Sequence, residues 1–187
     1  FFSSIHRINY SIHTCYYLQA VSMFIALYKN INIMTTISTN TATASNRRAY
    51  PGAIINTLVS AEQTNNSLFI AEFEFLPGSE PPRHVHTLED EFIFMKEGEV
   101  TFFCGDDIIQ AKPGDSVFLP KNIPHHFIIT SESVKALFVT TPANFGEFFK
   151  MISVPYEGTE IPEVQGPPTE EAIGQMVALM ASFGINL

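Results

Sequence analysis

From Pro51 onward, short runs of β-branched and aromatic residues alternate with clusters of turn-forming ones. The apolar runs are AIINTLVS, SLFIAEFEF, DEFIFMK, EVTFFC, DSVFL, HHFIIT and VKALFVTT; TNN, PGSEPP, EG, GDD, KPGD, PKNIP and SES separate them. Val, Ile, Thr and Phe suit a pleated, half-buried surface, whereas Gly, Pro, Asn and Asp supply turn geometry. Short strands at this spacing, with no long helical pattern between them, predict an all-β antiparallel sandwich or barrel. In SLFIAEFEF, Phe69, Ala71, Phe73 and Phe75 alternate with Glu72 and Glu74, so one face should be buried and the other partly wet.

Beyond Pro142 the period changes. NFGEFFKMI places Phe145, Phe148, Phe149 and Ile152 on one helical face, with Asn144 as the expected N-cap. A Pro- and Gly-rich loop from Tyr156 to Pro168 follows, long enough to cover one mouth of the β fold or to serve as a tether. Thr169 is the expected N-cap of TEEAIGQMVALMASFG, with Glu170 and Glu171 in the first turn, where the helix dipole favours carboxylates. Ile173, Met176, Val177 and Met180 form its apolar stripe, expected to pack on the barrel wall, and Gly184 ends it.

Residues 34–50, rich in Thr, Ser, Asn and Ala, bury too little to offset their ordering entropy; they read as a flexible arm, with Arg47 and Arg48 in a solvated linker. Residues 1–33 carry no period of 2 or 3.6. They read as sequence upstream of a start at Met34 or Met23, a targeting segment being the alternative. The expected organisation is a poorly ordered N-terminal extension over 1–50, a β-barrel over 51–142 and a helical tail over 143–187 packed on it.

Composition narrows the function classes. A chain of 187 residues suits one domain with a real core, and 17 Phe with no Trp imply a phenyl-rich core or pocket. A net charge of -9 argues against a nucleic-acid or anionic-membrane partner. Cys15 to Tyr28, the least polar part of the N-terminal region, is too short to span a bilayer. Cys15 and Cys104 form no CxxC pair and nothing favours a disulfide, so a reducing, cytoplasmic compartment is expected.

The candidate chemistry concentrates between Gly78 and Gly98, GSEPPRHVHTLEDEFIFMKEG. Strand residues two apart share a face, so His84 and His86 project together while Val85 turns away. Thr87 to Asp90 suits a turn with Glu89 and Asp90 in solvent, although a tighter turn would let Glu89 replace Glu91. FIFMK then returns as a strand that brings Glu91 back towards the histidines. Two imidazoles and a carboxylate make most of a first-row transition-metal site. Further on, GDSVFLPKNIPHHFII opens a strand with His125 and His126, only one of which can point inward.

These two stretches resemble the paired motifs of the cupin superfamily. Gly78, five residues, His84, one residue, His86, four residues, Glu91, six residues, Gly98 matches the first motif without a gap. Gly114, five residues, Pro120, one residue, Asn122, two residues, His125 is similar to the second. The resemblance covers roughly Ala53 to Thr141. It implies a single jelly-roll-like antiparallel β-barrel with short C-terminal helices, and a divalent transition metal (Fe, Mn, Ni or Cu) held by His84, His86, Glu91 and His125. Asn122 stands where the motif has Gly, a mild change because Asn tolerates left-handed backbone. Ile129 stands where the motif usually has Asn. The tail resembles that of small single-domain cupins similar to quercetin dioxygenases, and the resemblance implies a homodimer.

Parity extends the expectation. With Glu91 and His125 inward, Ile93, Met95, Phe127 and Ile129 should line the pocket, which favours a small apolar or aromatic substrate over a carbohydrate. The leading expectation is a metal-dependent dioxygenase acting on an enol or phenol, flavonol-like by resemblance. Glu91 would serve as a ligand or as the base that takes the substrate's proton. A non-oxidative isomerase or decarboxylase, and a non-catalytic ligand-binding module, are the alternatives.

Overall fold

The structure, a computed structural model, describes residues 46–187. The expectations for residues 1–45, including the candidate starts and Cys15, lie outside the described residues. This described part holds twelve strands, seven of them formed by the apolar runs: β1 (Arg47–Tyr50), β2 (Ala53–Val59), β3 (Phe69–Phe75), β4 (Val85–His86), β5 (Asp90–Glu97), β6 (Val100–Cys104), β7 (Asp107–Ala111), β8 (Ser116–Leu119), β9 (His125–Ile129), β10 (Val134–Thr141), β11 (Val154–Pro155) and β12 (Ile185–Asn186). Two helices follow the main strands, α1 (Asn144–Ile152) and α2 (Glu170–Ser182).

A seven-stranded sheet runs β11-β1-β2-β3-β10-β5-β8, a three-stranded sheet runs β7-β6-β9, and β12 pairs with β4. Every pairing is antiparallel. The two larger sheets pack face to face as a jelly-roll sandwich, with Phe75 of one meeting Phe127 of the other at a ring separation of 5.8 Å. Period-2 alternation produces this arrangement. Along β3, Phe69, Ala71, Phe73 and Phe75 are buried while Ile70, Glu72 and Glu74 face outward. Glu72 there pairs with Lys96 and, at 3.1 Å, with Lys135, so the wet face carries an ion-pair network.

Several local readings differ from the sequence-based ones. β1 lies ahead of Pro51, within the stretch read as a flexible arm, and Arg48 is not a solvated linker residue. Its guanidinium donates to Ser153 Oγ at 2.8 Å and to the Lys150 carbonyl at 2.9 Å. It thereby ties β1 to the last turn of α1, where free carbonyls attract a cation. Asn144 opens α1 but does not cap it, because its side-chain oxygen accepts from Asn66 Nδ2 at 2.7 Å. Thr169 does cap α2, accepting from the Ala172 amide at 3.2 Å. The expected stripe of α2 is mostly open: Met180 is buried, but Ile173, Met176 and Val177 are 47%, 40% and 36% exposed.

Among the described residues, no helix is long and apolar enough to cross a membrane.

Candidate metal centre

Backbone pairing places each candidate ligand. His84 and His125 exchange two backbone hydrogen bonds, 2.9 and 2.8 Å long, which join the two histidine-bearing segments at the residues whose rings must meet. Asn122, at φ 64°, turns the chain so that its amide donates to the His86 carbonyl at 2.7 Å. The C-terminus also holds this strand. Ile185 of β12 pairs with His86, and the amide and hydroxyl of Thr87 both donate to the Gly184 carbonyl at 2.8 Å. β5, paired with β8 and β10, presents Glu91 on the same inward face.

All four side chains are buried, His86 completely. Ring nitrogens of His84, His86 and His125 lie within 4.8 Å of one another. Glu91 stands at the edge of this group, 3.3 Å from His125 Nε2 and 3.8 Å from His86 Nε2. The neighbouring strand residue, His126, stacks on Phe103 with ring centroids 4.6 Å apart.

The surroundings define which nitrogens face inward. His84 Nδ1 lies 2.8 Å from the Pro82 carbonyl and His125 Nδ1 lies 2.9 Å from the Ile123 carbonyl. Carbonyls only accept, so both Nδ1 atoms carry the proton and both neutral rings turn an Nε2 lone pair inward. His86 Nδ1 faces a carboxylate oxygen of Glu89 at 3.5 Å, which favours the same tautomer. The Nε2 atoms of His84 and His86 are then 3.0 Å apart. Two lone pairs so close repel, and a cation between them removes the conflict. The separation also equals that of neighbouring ligands at right angles around an ion with bonds of about 2.1 Å. The donor set of three imidazoles and a nearby carboxylate therefore fits a divalent transition metal.

Electrostatics favour the same state for His84 and Glu91, whereas His125 is drawn the other way by the carboxylate beside it. Burial pushes His84 down to about 4, leaving it neutral at ordinary pH. Burial alone would raise the Glu91 carboxyl, but His125 and the other imidazoles outweigh it and hold the group below its usual range. Burial would likewise lower His125, yet Glu91 beside it raises it.

The histidines open onto a cavity of about 190 Å³. His84, His125 and Glu91 form one wall, and the rest is largely phenyl, aliphatic and proline groups. Of the expected lining residues, Ile93 and Phe127 face the cavity. Met95 and Ile129 are buried further along the same strands, about 7 Å on, in the closed core between the sheets. No residue of the 156–168 loop is among the lining residues; α2 contributes Met176 and Met180 instead. Sequence reasoning also missed Tyr50 and the wall formed by Phe145, Phe148 and Phe149. The helical period showed that α1 has an apolar face but not which cavity it closes. Phe145 meets His86 edge-on with ring centroids 4.8 Å apart, which holds that imidazole in place.

Glu89 was expected in solvent and is instead 1% exposed. Neither carboxylate oxygen has a hydrogen-bond partner among the described residues. It sits on the Nδ1 side of His86 whereas Glu91 sits on the Nε2 side, so the two carboxylates do not exchange roles. The signal was present: Glu89 shares the parity of Glu91, and the inward alternation of β5 simply starts one step earlier.

An antiparallel jelly roll that converges buried histidines from two of its segments onto an apolar cavity defines a class of metal-site β fold. Residues 71–141 match the cupin domain family, and this stretch resembles the cupin domains of quercetin dioxygenase-like proteins. A quercetin 2,3-dioxygenase of Bacillus subtilis (strain 168) is 29% identical over 116 residues, 62% of this chain and 34% of that protein. This chain thus matches about a third of the relative's length. Among solved structures, a predicted oxalate decarboxylase of Thermotoga maritima is 23% identical with a TM-score of 0.47, covering 55% of this chain and 99% of its own. An oxalate decarboxylase variant of Bacillus subtilis is 22% identical with a TM-score of 0.47, covering 54% of this chain and 28% of its own.

Proposed function

We propose that this chain is a metal-dependent cupin dioxygenase acting on a small apolar or aromatic enol or phenol. The observation that carries the reading is the position of His84, His125 and Glu91 in one wall of a cavity whose other walls are mainly apolar. The likeness to a quercetin 2,3-dioxygenase supports it. His84, His86, His125 and Glu91 would hold the divalent transition metal (Fe, Mn, Ni or Cu), which supplies Lewis acidity and redox chemistry when bound.

The chain's own residues have distinct tasks. Glu91, ionised at neutral pH, accepts the proton of the substrate hydroxyl. His125 stands beside that carboxylate, with Nε2 3.3 Å from it. The phenyl rings of α1 exclude water, which strengthens electrostatic interactions at the buried end. A carbohydrate finds little here: the Ser79 hydroxyl in the lining already donates to the Leu76 carbonyl at 2.6 Å. Tyr50, whose phenol burial keeps protonated, is the other lining hydroxyl.

The test is metal analysis of protein purified without added metal, followed by oxygen uptake with a panel of enols and phenols. His125→Ala should lose both metal and oxygen uptake. Glu91→Gln should lower turnover by about 10²- to 10⁴-fold, the usual contribution of a positioned base. Metal-replete protein that consumes no oxygen with any of these compounds refutes the proposal, and turnover under strict anaerobiosis replaces it with a non-oxidative reaction.

A further inference from the structure

We propose, resting on the reading just given, that the substrate is a single-ring enol or phenol of about six to ten non-hydrogen atoms, and that Met176 and Met180 of α2 set this limit. The cavity volume decides the size. An apolar cavity of about 150 Å³ holds one benzene molecule. By the same proportion, 190 Å³ holds about eight non-hydrogen atoms. A three-ring flavonol, with about twenty, needs more than twice that room.

Whether the cavity can grow depends on its walls. Phe75, Phe127 and Phe138 are buried side chains of the facing sheets, and Phe75 touches the other two at ring separations of 5.8 and 5.9 Å. Phe145, Phe148 and Phe149 of α1 pack against one another with ring centroids 4.5 to 5.8 Å apart. Close-packed groups of this kind do not yield to a second and third ring without strain.

The α2 wall is different. Residues 163–178 are exposed throughout, so the helix and the chain leading into it are lightly packed. Its firm attachment is at the C-terminal end, where Met180 is buried and Gly184 and Ile185 bind the Thr87–His86 segment. Met176 and Met180 reach from this helix into the lining. Methionine is unbranched and adaptable, which suits a wall that closes on a small occupant. Shortening it opens a side of the cavity that the core does not fix; the half-exposed Ser79–Pro82 segment forms another.

Anaerobic calorimetric titration of metal-replete protein with catechol and with quercetin tests the proposal. Both carry adjacent oxygens but differ in ring number, and metal-stripped protein serves as the control for binding at the centre. The wild type should bind catechol at least tenfold more tightly than quercetin. Met176→Ala, at a 40% exposed position, should narrow that ratio at least fivefold, with an unchanged urea midpoint showing that the fold is intact. Met180→Ala should act in the same direction. Quercetin binding to the wild type as tightly as catechol overturns the size limit while leaving the oxygenase reading standing. A ratio that neither substitution moves by twofold overturns the role of α2. Failure of both compounds to bind the metal-loaded protein overturns the inference and the proposed function together.

Discussion

Glu89→Gln is the most informative single substitution at the centre. The carboxylate is buried, neither oxygen has a hydrogen-bond partner among the described residues, and one oxygen lies 3.5 Å from His86 Nδ1. A carboxylate in this position favours the tautomer that turns the opposite nitrogen towards the metal and makes it more basic. Gln keeps the volume but removes the charge, and its amide can offer His86 a hydrogen instead of an acceptor. Loss of such an outer partner weakens metal binding by about 10- to 100-fold, or about 1.4 to 2.7 kcal/mol. Metal-free protein should respond oppositely or hardly at all, because the substitution removes an uncompensated buried charge whose desolvation costs several kcal/mol. The assay is a competition titration against a chelator of known affinity, alongside urea unfolding of the metal-free form. Metal affinity within twofold of wild type, together with a clear loss of metal-free stability, would refute the reasoning and leave Glu89 a core residue with no influence on His86.

Other predictions concern the frame around the centre. Gly146→Ala should destabilise the protein by about 1 to 3 kcal/mol in urea titration: its Cβ would come within 2.6 Å of the buried Phe69 ring, and that overpacking outweighs the gain in helix propensity of about 1 kcal/mol. Gly184→Ala should cost about 2 kcal/mol, since φ is +75° and the new Cβ would meet Thr87 Oγ1 at 2.7 Å; metal affinity should fall with it, because the Gly184 carbonyl holds Thr87 next to His86. Arg48→Ala should cost about 1 to 3 kcal/mol through loss of charge-assisted hydrogen bonds to Ser153 and Lys150, read as a lower urea midpoint; Arg48→Lys should recover only part of it. Stripping the metal with a chelator should lower the melting temperature, since an ion at 100 times its Kd contributes about 2.7 kcal/mol to the folded state.

The sequence made some of this legible because the information was local. The alternation in β3 and β5 identifies an inner face directly, and His84, His86 and Glu91 lie close enough along the chain for strand parity to relate them. His125 is 39 positions beyond His86, and its place followed from the likeness of its segment to a second motif rather than from any local pattern. What parity could not supply was depth. It put Ile93 and Met95 on one face, but only Ile93 reaches the cavity, because position along a strand decides which inward residue meets a void and which meets a packed partner.

The misreadings of Glu89 and Arg48 share a cause. Both are charged residues at the ends of apolar runs, where composition alone favours solvent. Each is buried or partly buried because of what faces it: the ring of His86, three residues back, faces Glu89, and the distant end of α1 faces Arg48. The tail shows the same limit from the other side. The apolar stripe of α2 looked like a packing face, yet only Met180 is buried, and Met176 lines the cavity while remaining 40% exposed. An amphipathic period records that a helix has something apolar to cover; whether that is a core or a cavity able to admit a ligand depends on what stands opposite. Here an apolar void bounded by His84, His125 and Glu91 stands opposite, and the buried Met180 and the half-exposed Met176 both line it.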